Sequence, residues 1–151
     1  MAGTQVDFYV LPGDEPGARL RFACRLVEKA WLKRHRVRVQ LDPGGELEAF
    51  DQMLWTFSDR AFVPHRRAGT ADETPAPAPA AVVIDDTGQA DAADGDVLVN
   101  LATAQPATGG WSRIAEVIDA DARRRSQGRE RYRAYRELGL EPQTHDMGKD
   151  A

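Results

Sequence analysis

Within its first 45 residues the chain changes hydrophobic period twice, and that alternation restricts the fold more than any other feature of the sequence. Residues 6–11, VDFYVL, are β-branched and aromatic and stop at Pro12-Gly13, as a buried strand does when it ends in a turn. After Pro16-Gly17 the apolar residues Leu20, Cys24, Val27 and Trp31 recur at four- and three-residue steps, the stripe of one helix face, and the helix should end near Arg34 to Arg36. Val37, Val39 and Leu41 then alternate with Arg38 and Gln40, a second strand closed by Asp42-Pro43-Gly44-Gly45. The opening unit is β-α-β.

The remainder continues in kind. Leu47, Phe50 and Leu54 mark a second helix, followed by the aromatic stretch LWTFSDRAFVPH at 54–65. From Arg66 to Ala80 the composition falls to Ala, Pro, Thr and charge, a low-complexity linker expected to be extended or mobile. Ala81 to Ile84 and Val97 to Leu101 read as strands on either side of a polar turn region. Ile114, Val117 and Ile118 suggest a further short strand, with a helical reading also open. Asp119 or Asp121 can cap a last helix, which Gly139 suits as a left-handed terminus and Pro142 forbids to continue. Strands alternating with helices favour one three-layer α/β/α domain with a mostly parallel sheet over residues 1–142, containing a Pro/Ala-rich loop at 70–80. Residues 143–151 are expected to be a frayed, flexible tail.

A length of 151 residues suffices for one core, and 42% hydrophobic with 29% charged residues is ordinary globular composition. The single cysteine excludes an internal disulfide and a thiolate metal cluster, and fits a reducing, cytoplasmic setting. No signal-peptide pattern opens the chain, and no run of about 18 apolar residues points to a membrane. A phosphate loop needs free backbone donors and a lysine, whereas the first turn holds Asp14 and Glu15 between two prolines. The three histidines lie far apart without a ligand at zinc spacing, and Cys24 sits in an apolar stripe. No catalytic constellation, metal or cofactor is expected.

Two candidate interaction surfaces remain. The first is RRRSQGRERYRAYR at 123–136, whose parent segment 121–136 carries a net charge of +5 while the rest of the chain carries −9. At about 100° per residue, Arg125, Arg129, Tyr132, Arg133 and Arg136 share one arc from which Glu130 and Glu137 are absent. A charge run is commonly a solvated helix face, but an acid-free basic arc with a tyrosine suits an anionic partner, since guanidinium groups pair with carboxylates or phosphates through parallel hydrogen bonds. Single-stranded nucleic acid, with Tyr132 and Tyr135 as stacking platforms, is one such partner. The second surface is Trp55, Phe57, Phe62, Val63 and Pro64, which serve either to cap the sheet edge as core or to form an interface.

Together the opening VDFYVL, LWTF followed by FVPH, the strand DVLVNL and above all GRERYRAYRELG make the chain resemble the chi subunit of the bacterial DNA polymerase III holoenzyme, from about Val6 to Pro142. The resemblance implies a nucleotide-binding-like α/β domain without a phosphate loop, non-catalytic by itself and part of a DNA-directed DNA polymerase complex. It implies a bridge in DNA replication between the clamp loader, reached through the psi subunit, and the acidic carboxyl-terminal tail of single-stranded DNA-binding protein. It carries the tail site onto Arg125, Arg129, Tyr132 and Arg133. It carries the psi surface, which some members also offer to a helicase, onto Trp55, Phe62, Val63 and Pro64. The proline-rich segment from Thr70 has no counterpart motif, and Gly128 stands inside the last helix at a cost of up to about 1 kcal/mol relative to alanine, where its missing side chain would leave room for a ligand.

Overall fold

The computed structural model describes residues 4–58, 63–68, 82–87 and 96–148. Its elements run β1 (Gln5–Val10), α1 (Ala18–Leu32), β2 (Val37–Gln40), α2 (Leu47–Thr56), β3 (Arg66–Arg67), β4 (Val82–Asp85), β5 (Val97–Asn100), β6 (Arg113–Ile118), α3 (Ala122–Glu137) and β7 (Gln143–Asp146). They form one sheet in the order β3-β4-β2-β5-β6-β1-β7, and every pairing in it is parallel. The three-layer α/β/α expectation therefore holds, with a sheet that is parallel throughout rather than mostly so.

Side-chain alternation divides the core. Val37 and Val39 of β2, Val97 and Val99 of β5, and Ala115 and Val117 of β6 pack with α1 and α2 through Leu20, Cys24, Val27, Phe50 and Leu54. Val6 and Phe8 of β1, Leu98 of β5, and Ile114 and Ile118 of β6 point the other way and pack with Trp111 and Tyr135. Because both faces are covered, Arg38 and Gln40, which alternate with the apolar residues of β2, are buried as well. Arg38 pairs with fully buried Asp85 at 3.2 Å. Cys24 lies in the first core, where burial pushes its thiol up to about 12 against a small opposing effect of Arg21.

Residues 113–118 form a strand, which settles the alternative between strand and helix. The segment from Gln143 departs from expectation. Instead of fraying, it adds β7 to the outer edge of β1, pairing Asp7 to Val10 with Gln143 to Asp146. The sequence QTHD has weak strand propensity, but β1 would otherwise present an open row of backbone donors and acceptors. His145 fastens the strand, stacking on Tyr9 at 4.9 Å and meeting Asp7 with Nε2 at 3.0 Å.

Candidate functional site

The last helix is set by its ends. Asp121, with extended backbone, accepts a hydrogen bond from the Arg124 amide at 2.9 Å and caps α3. At the far end Gly139 takes the left-handed conformation at φ 86°, and the amides of Gly139 and Leu140 bond back to Arg136 and Tyr135. Midway, a Cβ added at Gly128 would collide with Cδ1 of Ile118. The space a side chain would need is taken up by Ile118, which lets α3 lie low on β6, while the glycine itself borders the cavity beside it.

Lying low, α3 closes a cavity of about 220 Å³ against the sheet. Phe8, Val10 and Ile118 supply the apolar floor, Thr144 of β7 one wall, and Arg125, Gly128, Arg129 and Tyr132 the helix side. Tyr132 leans on Phe8 with ring centroids 5.4 Å apart. The Arg125 guanidinium donates to the carbonyls of Asp119 and Leu11, each at 3.2 Å, which holds it at the rim. Arg129 is exposed beside it, and no carboxylate lines the cavity. Arg133 is exposed and stands outside the lining, one turn along. Three of the four residues assigned to the basic site are thus brought together and one flanks them. The strand residues were missed: Phe8 and Val10 were legible only as core, and nothing in QTHD marked Thr144.

The opposite side of α3 is buried chemistry. Glu116 is fully buried. Its carboxylate accepts from Arg131 Nε at 3.1 Å, from the Asn100 amide at 3.1 and 3.0 Å and from the Tyr135 hydroxyl at 2.7 Å. Burial pushes the Glu116 carboxyl up, against the downward pull of Arg131, Tyr135 and Asn100. Burial and the Glu116 charge raise the Tyr135 hydroxyl far above its ordinary value, so it stays a donor. Tyr135 is therefore a core residue, not an exposed stacking platform.

On the other sheet face, Trp55 of α2 is 38% exposed and its ring lies 4.0 Å from that of His65. His65 is held between the Val63 carbonyl at 2.8 Å and Asp51 at 2.9 Å, so both ring nitrogens face oxygen acceptors. Pro64 is exposed, whereas Val63 is wholly buried in the first core and offers a partner no side-chain surface. The core reading of this stretch holds for Val63, while Trp55 and Pro64 remain exposed. Phe62 lies outside the described residues.

Crevices at the carboxyl ends of the strands, where α/β folds commonly take ligands, are differently built. Asp14, Glu15, Glu46 and Asp119 line the one beside the β1–α1 turn, where Arg19 and Arg124 are taken up by Glu46 and Asp119 and leave Asp14 and Glu15 to oppose phosphate. A neighbouring cavity of about 410 Å³ presents Arg19, Arg123, Arg124 and Arg131, of which Arg19, Arg124 and Arg131 are already paired with Glu46, Asp119 and Glu116. Among the described residues no group of His, Cys, Asp and Glu is arranged to hold a metal ion, and no helix is long and apolar enough to cross a membrane.

Comparison with known proteins covers nearly the whole chain. The family described as DNA polymerase III chi subunit, HolC, matches residues 3–143. A DNA polymerase III subunit chi from Pseudomonas aeruginosa is 37% identical over 145 residues, 95% of this chain and 97% of that protein. The Haemophilus influenzae subunit is 26% identical over 93% of this chain and 96% of its own length, and that of Escherichia coli 27% over 88% and 91%. With a family model matched over nearly all of its length and a 37% identical relative covered almost end to end, the chain belongs to the chi-subunit family of DNA polymerase III.

Proposed function

We propose that the chain links the clamp loader, through the psi subunit, to the acidic carboxyl-terminal tail of single-stranded DNA-binding protein in the cytoplasmic replisome. One observation carries the reading: an acid-free cavity with an apolar floor of Phe8, Val10 and Ile118 lies beneath Arg125 and Arg129. The two guanidinium groups suit a tail's aspartates and terminal carboxylate, and the floor with the Tyr132 wall suits its last apolar side chain. Arg133, exposed one turn on, extends the basic rim. Trp55 and Pro64, with Phe62 beside them in sequence, are the proposed psi surface, which a helicase would share. Trp55 stands on α2, across the sheet from α3, so both partners can be held at once.

The expected affinity for a peptide ending Asp-Asp-Ile-Pro-Phe is micromolar, about −8 kcal/mol. Arg129→Ala should weaken it several-fold or more in a calorimetric titration while leaving the thermal transition almost unchanged, because Arg129 is exposed. Unaltered affinity would reject the site. The rival reading, direct binding of single-stranded nucleic acid, loses Tyr135 as a platform because that ring is buried. Binding of a bare oligonucleotide at physiological salt, with none of the peptide, would restore it.

A further inference from the structure

A second cavity, about 420 Å³, opens at the amino-terminal edge of the sheet beneath α1. Its floor is aliphatic: Val99 and Ala115 from the sheet, Leu26 and Ala30 from the helix. Its rim is cationic, formed by Lys29, Lys33, His35 and Arg113, and no carboxylate lines it. Lys29 and Lys33 are one helical turn apart and project from the same face. Among the described residues neither lysine meets a carboxylate. Arg113 has one carboxylate, Asp7, at 3.4 Å and is about half exposed.

The surroundings amplify the charge. Residues 29–36, KAWLKRHR, contain no acid, and Lys33, Arg34, His35 and Arg36 are all exposed. Arg34 adopts φ 65° at the end of α1, the place that Gly139 fills at the end of α3. Outside segment 121–136 the chain carries a net −9, so this is a basic patch on an otherwise acidic body.

We infer that this cavity is a docking site for an acidic linear peptide segment of a protein partner, seating one aliphatic side chain on the floor and carboxylates on the rim. Charge complementarity names the anion and the aliphatic floor names the anchor. A nucleobase would need a free ring to stack on, and of the two rings at the cavity the larger, Tyr9, is already stacked on His145 at 4.9 Å and packed against Phe22 at 5.5 Å, leaving the His35 imidazole at the rim. The site is independent of the cavity under α3, because Val99 and Ala115 face α1 whereas Leu98 and Ile114 face the opposite side.

The test uses the full chain carrying Arg129→Ala, labelled with nitrogen-15 and titrated with the capped peptide acetyl-Asp-Glu-Asp-Leu-Asp-Glu-amide, which lacks a terminal carboxylate. Amide shifts are expected at Lys29, Ala30, Lys33, Val99 and Ala115. Adding Lys29→Glu with Lys33→Glu, both exposed positions, should weaken binding at least about tenfold, or 1.4 kcal/mol. Shifts confined to α3 and β7, no shifts at all, or affinity unchanged by the charge reversal would overturn the inference. So would oligodeoxythymidine shifting these amides when the peptide does not.

Discussion

At Gly128 two opposing effects of a glycine-to-alanine change can be weighed. Alanine in a helix interior gains up to about 1 kcal/mol over glycine. Here its Cβ would run into Ile118 Cδ1, so that the isoleucine or the helix must move, and overpacking of that kind costs about 1–3 kcal/mol. Gly128→Ala is expected to be net destabilising in urea unfolding and to weaken peptide binding, because either α3 lifts or Ile118 is pushed into the cavity it floors. Ile118→Val, which removes the offending methyl, should recover part of the loss; a Gly128→Ala variant more stable than the parent would refute the close approach. Asp119 sets a second test. Burial raises its pKa, but hydrogen bonds from Arg124 and the Asp121 amide and the charges of Arg124 and Arg19 outweigh burial and leave it below the ordinary value. A carboxyl depressed in the folded state contributes stability above its unfolded pKa of about 3.9, and that contribution is lost as pH falls through the folded value. The thermal midpoint should therefore exceed that of Asp119→Asn near neutral pH, with the margin shrinking in acid below about pH 4. A margin that grows there would contradict the sign.

Among the elements, α3 shows how one helix serves two purposes. Arg125, Arg129 and Tyr132 turn to the cavity, while Arg131 and Tyr135 turn to Glu116 beneath the helix. The carboxyl end of α3 was legible because Gly139 is a strong local signal, and its amino end was legible to within two residues, Asp119 or Asp121, of which the structure uses Asp121. Its buried polar face was not, because an arginine that pairs with a sheet carboxylate 15 residues away has the same local sequence context as a solvated one. β7 was illegible for a different reason: its pairing comes from the open edge of β1, not from QTHD. Deleting residues 143–151 removes the Thr144 wall, the His145 contacts with Tyr9 and Asp7, and the hydrogen bond from the Met147 amide to Val10. The truncated chain should melt lower and bind the acidic peptide less tightly, as fluorescence anisotropy would show. Unchanged affinity would exclude β7 from the site.

For the molecule as a whole, the sheet is a partition. α2 with Trp55 packs on one face and α3 with its arginines on the other, over cores that share no residue. Under the proposed function, Trp55→Ala should reduce capture of psi with peptide affinity intact, and Arg129→Ala should do the reverse. Pull-downs from native lysate compare the two directly, and simultaneous loss of both partners in either variant would mean the surfaces are coupled. The fold class was readable because period-2 and period-3.6 patterns alternate along the chain, which leaves few ways to cover a sheet on both faces. The basic arc was readable because helical angle is a local property. Val63 was misplaced because hydrophobicity alone does not distinguish a side chain that caps a core from one that meets a partner.

By itself the sequence determined the α/β frame, the carboxyl limit of α3, the acid-free arc and the absence of a phosphate loop in the first turn. Each depends on residues close together in the chain. Only the tertiary structure decided that Gly128 lets α3 settle on Ile118, that β7 completes the cavity, that Tyr135 is core and that Lys29, Lys33 and Arg113 meet around one pocket. Those facts depend on which distant strands become neighbours, and hydrophobic periodicity sets the face a residue occupies without naming what packs beside it.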